Sequence, residues 1–345
     1  MPSDPSPAPR RVARFAFWQD PAFAETLGAA GVALTTIPLD APEAEAWAAL
    51  EQAEIYQVSS AKDELMQRFF VTAALLARCP RLHCVSANGA GFDTVDVAAC
   101  TRAGVLVVNQ AGSNAVSVAE HTLGFMLDLG KRLSESDRRL RADRGYSRED
   151  LMGTEISGKV LGLIGIGHVG RRVAALARAF GMRVLAHDPL LPAEEVARRG
   201  AEPVALEALL AQADIVSVHC PRDATTKGMM NAAAFERMKR GAWFLNTARG
   251  GIHDEAALHA ALVSGQVGGA GLDVWDIEPP PLDHPLLKLP NVVASFHTAG
   301  VTVEARRAMA QWSADQLIGL FRGETPPRLV NPEALPAWQR RFSAS

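Results

Sequence analysis

The sequence predicts an α/β protein made of two doubly wound domains, each with a parallel sheet. Three observations carry this. At 345 residues the chain is longer than a single hydrophobic core usually spans. Short apolar runs alternate with helix-like segments along most of it, and strands separated by helices pair in parallel. A long amphipathic stretch and a charged segment near the middle divide a looser first series from a more regular second one.

In the first series the candidate strands are Arg11–Trp18, Gly31–Ile37, Ile55–Val58, Leu82–Ala87 and Val105–Asn109. Helical segments such as Lys62–Ala77 and Thr94–Arg102 lie between them. The amphipathic stretch Ala115–Leu133 has Val118, Leu123, Phe125, Met126 and Leu129 as its apolar positions. Ser134–Asp150, dense in Arg, Asp and Glu, reads as a solvated surface helix and loop. The second series offers strands at Lys159–Gly165, Arg183–His187, Ile215–Cys220, Ala242–Thr247, Gly269–Val274 and Asn291–His297. A last amphipathic helix, Val303–Arg322, precedes a Pro-rich tail.

A composition of 48% hydrophobic and 21% charged residues with net charge −3 gives no electrostatic reason to expect nucleic acid or a membrane surface as partner. No apolar stretch approaches the ~20 residues of a membrane helix. Met1–Arg10 is Pro- and Ser-rich, lacks the apolar run of a signal peptide and reads as a loose tail. Cys79, Cys84, Cys100 and Cys220 form no close CxxC pair near histidines. Neither a metal site nor a disulfide framework is therefore expected, and reduced thiols point to the cytoplasm.

Val160 to Val173 reads VLGLIGIGHVGRRV and contains a GxGxxG pattern between an apolar strand and a helical run. In that context each glycine has a physical job. Gly165 permits the tight strand-to-helix turn, Gly167 lets a pyrophosphate approach the backbone, and Gly170 lets the helix pack close to the sheet. The phosphates would sit at the helix N-terminus, where unpaired N–H groups favour negative charge. Asp188 ends the next strand about 20 residues on, where a carboxylate binds the adenosine ribose hydroxyls and repels a 2′-phosphate. Its alternative role is a cap before Pro189. The motif predicts a Rossmann-like domain that prefers NAD to NADP.

Three later segments place polar groups at strand ends, the edge that lines the ligand crevice of a parallel sheet. Arg249 follows one strand beside two glycines, and a guanidinium grips a carboxylate with two parallel bonds. Asp273, Asp276 and Glu278 follow the next strand, and His297 ends the last.

These segments resemble the D-isomer-specific 2-hydroxyacid dehydrogenase family, which carries an Arg in NTARGG, a Glu ending DVxxxEP and a His before xxG. The matching residues are Arg249, Glu278 and His297. The resemblance also takes in Ala87–Asp93, Val108–Asn114 and Val118–His121, and runs from about residue 55 to about 332. It implies that His297 exchanges a proton with the keto oxygen, that Glu278 orients its ring, and that Arg249 binds the substrate carboxylate. It further implies that Asp273 and the backbone around Thr247, Ala248 and Arg249 contact the nicotinamide end. The full cofactor set is then Gly165, Gly167, His168, Val169, Gly170, Asp188, Thr247, Ala248, Arg249, Asp273, His297 and Gly300. The backbone of Gly89, Ala90 and Gly91 would face the substrate carboxylate; His219–Pro221 and Thr226 resemble a cofactor-side loop. His187 and His253 are left structural.

By the same resemblance, residues 1–112 with 303–345 form the substrate domain and 113–302 the NAD domain, with the active site in the cleft between them. A small 2-keto or 2-hydroxy acid is the implied substrate, and a homodimer the expected assembly. The loop Val58–Lys62 lacks the arginines common in phosphoglycerate dehydrogenases, which argues against 3-phosphoglycerate. Phe296 stands where many members have Pro, and Arg222 where an apolar residue is usual. An NAD(H)-sensing co-regulator and a formate- or phosphite-type dehydrogenase are the alternative readings.

Overall fold

The structure, a computed structural model, describes residues 10–342. The loose tail expected at Met1–Arg10 falls outside them except for Arg10. The chain divides into two compact units, Met1–Asn114 with Thr302–Ser345, and Ala115–Val301.

The first unit runs β1 (Arg11–Phe15), α1 (Ala22–Ala29), β2 (Ala33–Ile37), α2 (Glu43–Glu51), β3 (Ile55–Ser59), α3 (Ala73–Arg78), β4 (Cys84–Asn88), α4 (Val97–Arg102) and β5 (Leu106–Val108). The five strands are all parallel in the order β2-β1-β3-β4-β5. Alternate residues cover opposite faces. Val12, Ile55, Cys84 and Leu106 pack with Phe23 and Leu27, whereas Phe15, Tyr56, Val58 and Val85 pack with Trp47, Leu50 and Leu75. Burial on both sides explains why these strands read as near-continuous apolar runs. In this order the switch point lies between β1 and β3, and ligands bind outside the C-terminal strand ends there.

The second unit begins with α5 (Ala115–Lys131) and α6 (Leu133–Ala142). There follow β6 (Val160–Ile164), α7 (Gly170–Ala179), β7 (Arg183–His187), α8 (Ala193–Arg198), β8 (Glu202–Pro203), α9 (Leu206–Gln212), β9 (Ile215–Val218), α10 (Ala232–Arg237), β10 (Ala242–Asn246), α11 (Glu255–Val263), β11 (Val267–Leu272) and β12 (Val292–Ala294). Its seven parallel strands lie in the order β12-β11-β10-β9-β6-β7-β8, so the switch point is between β6 and β9. The chain then returns to the first unit as α12 (Val303–Phe321), whose Ala314, Leu317 and Leu320 join the core formed by Val12 and Phe23, and ends in α13 (Leu335–Phe342). No helix among the described residues is long and apolar enough to cross a membrane.

Several expected boundaries move, each for a local reason. The helix foreseen over Lys62–Ala77 is only Ala73–Arg78, after a 3-10 turn at Gln67–Phe69. Val71 instead makes a parallel bridge to Val95, and the Thr72 hydroxyl then caps α3 by accepting the Leu75 N–H. The next helix starts at Val97 rather than Thr94 because Asp96 caps it through Ala99 N–H at 2.8 Å. Ala115–Leu133 breaks at Arg132, which takes a left-handed conformation with φ 52°. Its guanidinium forks onto Glu135 at 2.7 and 2.8 Å, and Asp128 accepts the Ser134 N–H, so the break is bonded on both sides. The strand foreseen to reach His297 stops at Ala294, and the Pro-rich tail contains α13.

Candidate functional site

The glycine turn follows β6. Gly165 has φ +92°, and a Cβ there would stand 2.9 Å from the Cys220 nitrogen and the His219 carbonyl carbon. The turns after β6 and β9 therefore touch at the switch point, and only a glycine fits. At Gly170 a Cβ would lie 2.3 Å from the Gly165 oxygen, which fixes how closely α7 approaches the strand. Gly167 differs. A Cβ there meets nothing within 4 Å, and its φ is not left-handed. Neither packing nor backbone requires this glycine, and the space it leaves fits the expected approach of a pyrophosphate. The N–H groups of Gly167 and Val169 find no acceptor among the described residues, which suits an anion at a helix N-terminus.

Asp188 is bonded into the same turn. Its carboxylate accepts the N–H groups of Ile166 at 3.0 Å and Leu190 at 3.1 Å. It thus serves both as the acid at the end of β7 and as a local cap. His168 Nδ1 lies 3.4 Å from Arg171 Nη2. His219 shares a bond with the Ser217 hydroxyl, and burial lowers its pKa to about 3. Burial likewise raises the Cys220 thiol to about 11, so neither group is charged near neutral pH. The Thr226 hydroxyl closes the loop onto the Pro221 carbonyl at 2.7 Å.

After β10, the Asn246 side chain shapes the turn by donating to the Arg249 carbonyl and accepting the Ala248 N–H, both at 2.9 Å. Thr247 is buried and its hydroxyl meets that of Thr122 at 3.1 Å. The half-buried Arg249 places Nη1 2.7 Å from the Ala248 carbonyl. Arg222 lies over the following Gly250–Gly251 turn, reaching the Gly250 carbonyl at 3.3 Å.

His297 Nδ1 stands 2.7 Å from Glu278 Oε2, and Trp275 N–H donates to the other oxygen at 3.1 Å. Burial alone would push the Glu278 carboxyl up. The hydrogen bond and charge of His297, the Trp275 N–H and the charge of Arg249 outweigh that and hold it below its ordinary value. The structure thereby brings Arg249, Glu278 and His297 into one electrostatic group. A carboxylate bonded to Nδ1 leaves Nε2 as the nitrogen that can exchange a proton with a ligand.

His297 is not on a strand. It has φ 47°, an uncommon conformation for a side-chain-bearing residue, and its N–H donates to the Asp273 carbonyl at 2.7 Å. The Asp273 carboxylate, wholly buried, accepts the Ser295 hydroxyl at 2.6 Å and the N–H groups of Thr298 at 2.8 Å and Ala299 at 3.0 Å. Asp273 thus builds the loop that presents His297 and leads to Gly300. Because the Ser295 hydroxyl donates to Asp273, His121 Nε2 carries the proton that bridges to Ser295 Oγ at 2.9 Å. Ser295 was not singled out by the sequence, and His121 appeared there only within a matching segment. No spacing rule marks either.

In the other unit Gly89 follows β4 with φ +111°. Its N–H is not available to a ligand, because it donates to Gln110 Oε1 at 2.7 Å. That narrows the expected substrate-facing backbone to Ala90 and Gly91. Gln110 in turn belongs to a buried chain through Ser86 and Ser313 to Gln57, which the sequence did not reveal. His253 is buried beside Phe244, and His187 reaches the Val204 carbonyl at 3.2 Å. Among the described residues no group of three His, Cys, Asp or Glu could hold a metal ion.

The sequence model of the D-isomer specific 2-hydroxyacid dehydrogenase NAD binding domain matches residues 123–299. The chain is 39% identical over 261 residues to the D-3-phosphoglycerate dehydrogenase of Archaeoglobus fulgidus, a match covering 76% of this chain and 49% of that one. It is 37% identical over 268 residues to the glyoxylate reductase of Korarchaeum cryptofilum, covering 77% and 81%. The chain thus spans about half the length of the phosphoglycerate dehydrogenases it matches. The crystal structure of the TT0316 protein from Thermus thermophilus superposes with TM-score 0.80 at 33% identity, covering 93% of this chain and 99% of that one. D-lactate dehydrogenase from Aquifex aeolicus, solved with NAD and lactic acid, gives 0.78 at 28% identity, covering 92% and 98%. With its glycine turn, its Arg–Glu–His group and these relatives, the chain belongs to the D-isomer specific 2-hydroxyacid dehydrogenase family.

Proposed function

We propose that this protein is an NAD-dependent oxidoreductase that interconverts a small 2-keto acid and the corresponding D-2-hydroxy acid. The observation that carries the reading is the 2.7 Å contact between His297 Nδ1 and a Glu278 carboxyl held below its ordinary value. Bound NADH would supply the hydride; the protein's own residues do the rest. Glu278, anionic near neutral pH, fixes the ring through Nδ1, so that Nε2 delivers a proton to the keto oxygen and recovers it in the oxidation direction. Arg249 grips the carboxylate beside the reacting carbonyl, and in the first unit the backbone of Ala90 and Gly91 is the proposed substrate-facing segment. Gly165, Gly167, Val169 and Gly170 receive the pyrophosphate, and Asp188 receives the adenosine ribose.

Phosphorylated substrates fit less well. The loop after β3 offers Ser59, Ser60, Ala61 and Lys62, and the Ser59 hydroxyl is already bonded to Glu64. A homodimer is supported by α6, which buries no residue and leaves Leu133 and Leu140 exposed. A cytoplasmic setting is supported by four cysteines without a disulfide, three of them buried. The test is NADH oxidation with glyoxylate, hydroxypyruvate, pyruvate and phenylpyruvate. Turnover of at least one, giving the D-hydroxy product, is expected. Tight NADH binding with no turnover of any keto acid would overturn the assignment.

A further inference from the structure

Among the described residues of the second unit, one buried side-chain polar atom has no partner: His253 Nε2. An idle donor in a buried site is costly, so it requires a reason. Packing does not supply one. The ring lies beside Phe244, with centroids 5.5 Å apart, and an apolar side chain would fill that place without a stray N–H. The ring's other nitrogen is in use. Asn246 Nδ2 stands 3.0 Å from His253 Nδ1. The turn sets the orientation of that amide, because Oδ1 accepts the Ala248 N–H and Nδ2 donates to the Arg249 carbonyl, both at 2.9 Å. An amide N–H can bond Nδ1 only if Nδ1 is bare, which puts the ring proton on Nε2. The unpaired donor is therefore the consequence of an acceptor that is used. Burial lowers the pKa of His253 to about 4 against the opposing charges of Asp276 and Asp254, so Nδ1 stays an acceptor near neutral pH.

The imidazole and the amide stand at the two ends of one turn. Asn246 closes β10, and His253 precedes Asp254, whose side chain caps α11 through the Ala257 N–H at 2.9 Å. The backbone around His253 is pinned from outside the turn. The Ile252 carbonyl accepts the Met230 N–H at 3.1 Å, and the Asp254 N–H donates to the Met230 carbonyl at 3.0 Å. Between the ends lie Arg249 and then Gly250 and Gly251, the residue type that restrains a backbone least. Held by two bonds alone, the Asn246 amide could pivot about the line joining them. The third bond, from the fixed far end, stops that pivot and leaves the amide no unused donor.

We infer that His253 is a positioning residue for Arg249, acting through the Asn246 amide. This rests on the reductase reading above, in which Arg249 grips the keto-acid carboxylate. The amide holds the Ala248 N–H and the Arg249 carbonyl, so it sets where the Arg249 side chain leaves the backbone. A loosened turn then weakens substrate binding first and affects the proton transfer at His297 less.

The experiment measures kcat and KM, with the keto acid turned over fastest, for wild type, His253→Leu and His253→Asn, each also combined with Arg249→Gln. His253→Leu should raise KM tenfold or more and lower kcat less than threefold, the split expected when a carboxylate grip is misplaced. His253→Asn, whose Oδ1 can stand where Nδ1 stood, should recover most of the KM. Beside Arg249→Gln, His253→Leu should change KM less than twofold, because the group it acts through is gone. A KM unchanged in His253→Leu, a loss not recovered in His253→Asn, or a full tenfold loss beside Arg249→Gln would each overturn the inference and leave the reductase reading intact. Nitrogen NMR of the histidine-labelled wild type tests the same bond without any variant. A bare Nδ1 with the proton on Nε2 is expected at neutral pH, and a proton on Nδ1 would overturn the inference. No turnover of any keto acid while NADH still binds would overturn both.

Discussion

The turn after β6 and the loop after β12 lie at the same edge of one sheet and are shaped by opposite means. The first depends on missing side chains. Gly165 and Gly170 have no room for a Cβ, and a single carboxylate, Asp188, reaches in to Ile166. The second depends on one side chain from elsewhere. Asp273, buried at the end of β11, holds Ser295, Thr298 and Ala299 and thereby keeps His297 in a left-handed conformation. That conformation costs a side-chain-bearing residue roughly 1–2 kcal/mol, so the loop stores strain at the proposed proton donor. A site for a bound cofactor can be built by subtraction. A proton donor must be aimed, and aiming requires bonds.

The sharpest way to separate the two regions is to remove the aimed group. His297→Asn should lower the rate of keto-acid reduction by about 10²–10⁴ while NADH binding is kept, as expected for loss of a general acid. Single-turnover kinetics with a fluorescence titration of NADH reads both quantities. Wild-type turnover would remove His297 from the reaction. Asp273→Asn comes next. The amide places N–H groups against N–H groups in a buried site, and we expect about 2–4 kcal/mol of lost stability. A lower kcat should accompany it, because the His297 loop loses its anchor. Thermal unfolding and steady-state rates test this, and an unchanged melting temperature would show that the loop is held by other contacts.

This contrast also explains what was legible in the sequence. The glycine turn could be read because Gly165 and Gly170 answer local steric demands and Gly167 leaves the backbone open to a phosphate, at fixed spacing within six residues. The Arg249, Glu278 and His297 segments could be read because each stands at a strand end and resembles a family motif. For Asp273 the sequence shows an acid at a strand end but not the loop it anchors; its bonds run to residues 22 to 26 positions away, a relation that spacing cannot encode. The same holds for the Gln57–Ser313–Ser86–Gln110 chain, whose members come from three strand regions and α12. Helix ends were misjudged wherever a cap or bridge, such as Asp96 or Val71, overrode apolar periodicity.

The glycine turn can be tested against itself. Gly170→Ala forces a carbon to within 2.3 Å of the Gly165 oxygen and should destabilise the fold by about 1–3 kcal/mol. Gly167→Ala adds a carbon that meets no protein atom, so stability should change by about 0.5 kcal/mol or less. NADH affinity should nevertheless fall about tenfold or more. Calorimetry of both variants with and without NADH checks this. Equal destabilisation by the two would mean that Gly167 is there for the fold and not for the cofactor.

The smallest expected effect concerns Glu278, and its sign follows from the direction of its shift. The folded carboxyl lies below its ordinary value of 4.5, so the native state binds its proton less readily than the unfolded chain does. The stabilisation this brings is fully present above that ordinary value and is lost as pH falls through the lower folded one. Glu278→Gln removes the carboxylate altogether. The wild type should therefore exceed the variant in stability near neutral pH by less than about 1 kcal/mol, because the pair is partly solvated. The gap should close as pH drops below 4.5. Unfolding of both proteins in denaturant at neutral and acidic pH measures the gap directly. A difference that stayed constant over that range would mean that Glu278 contributes by packing alone, and that the bond to His297, unlike those of Asp273, orients the ring without helping to hold the fold.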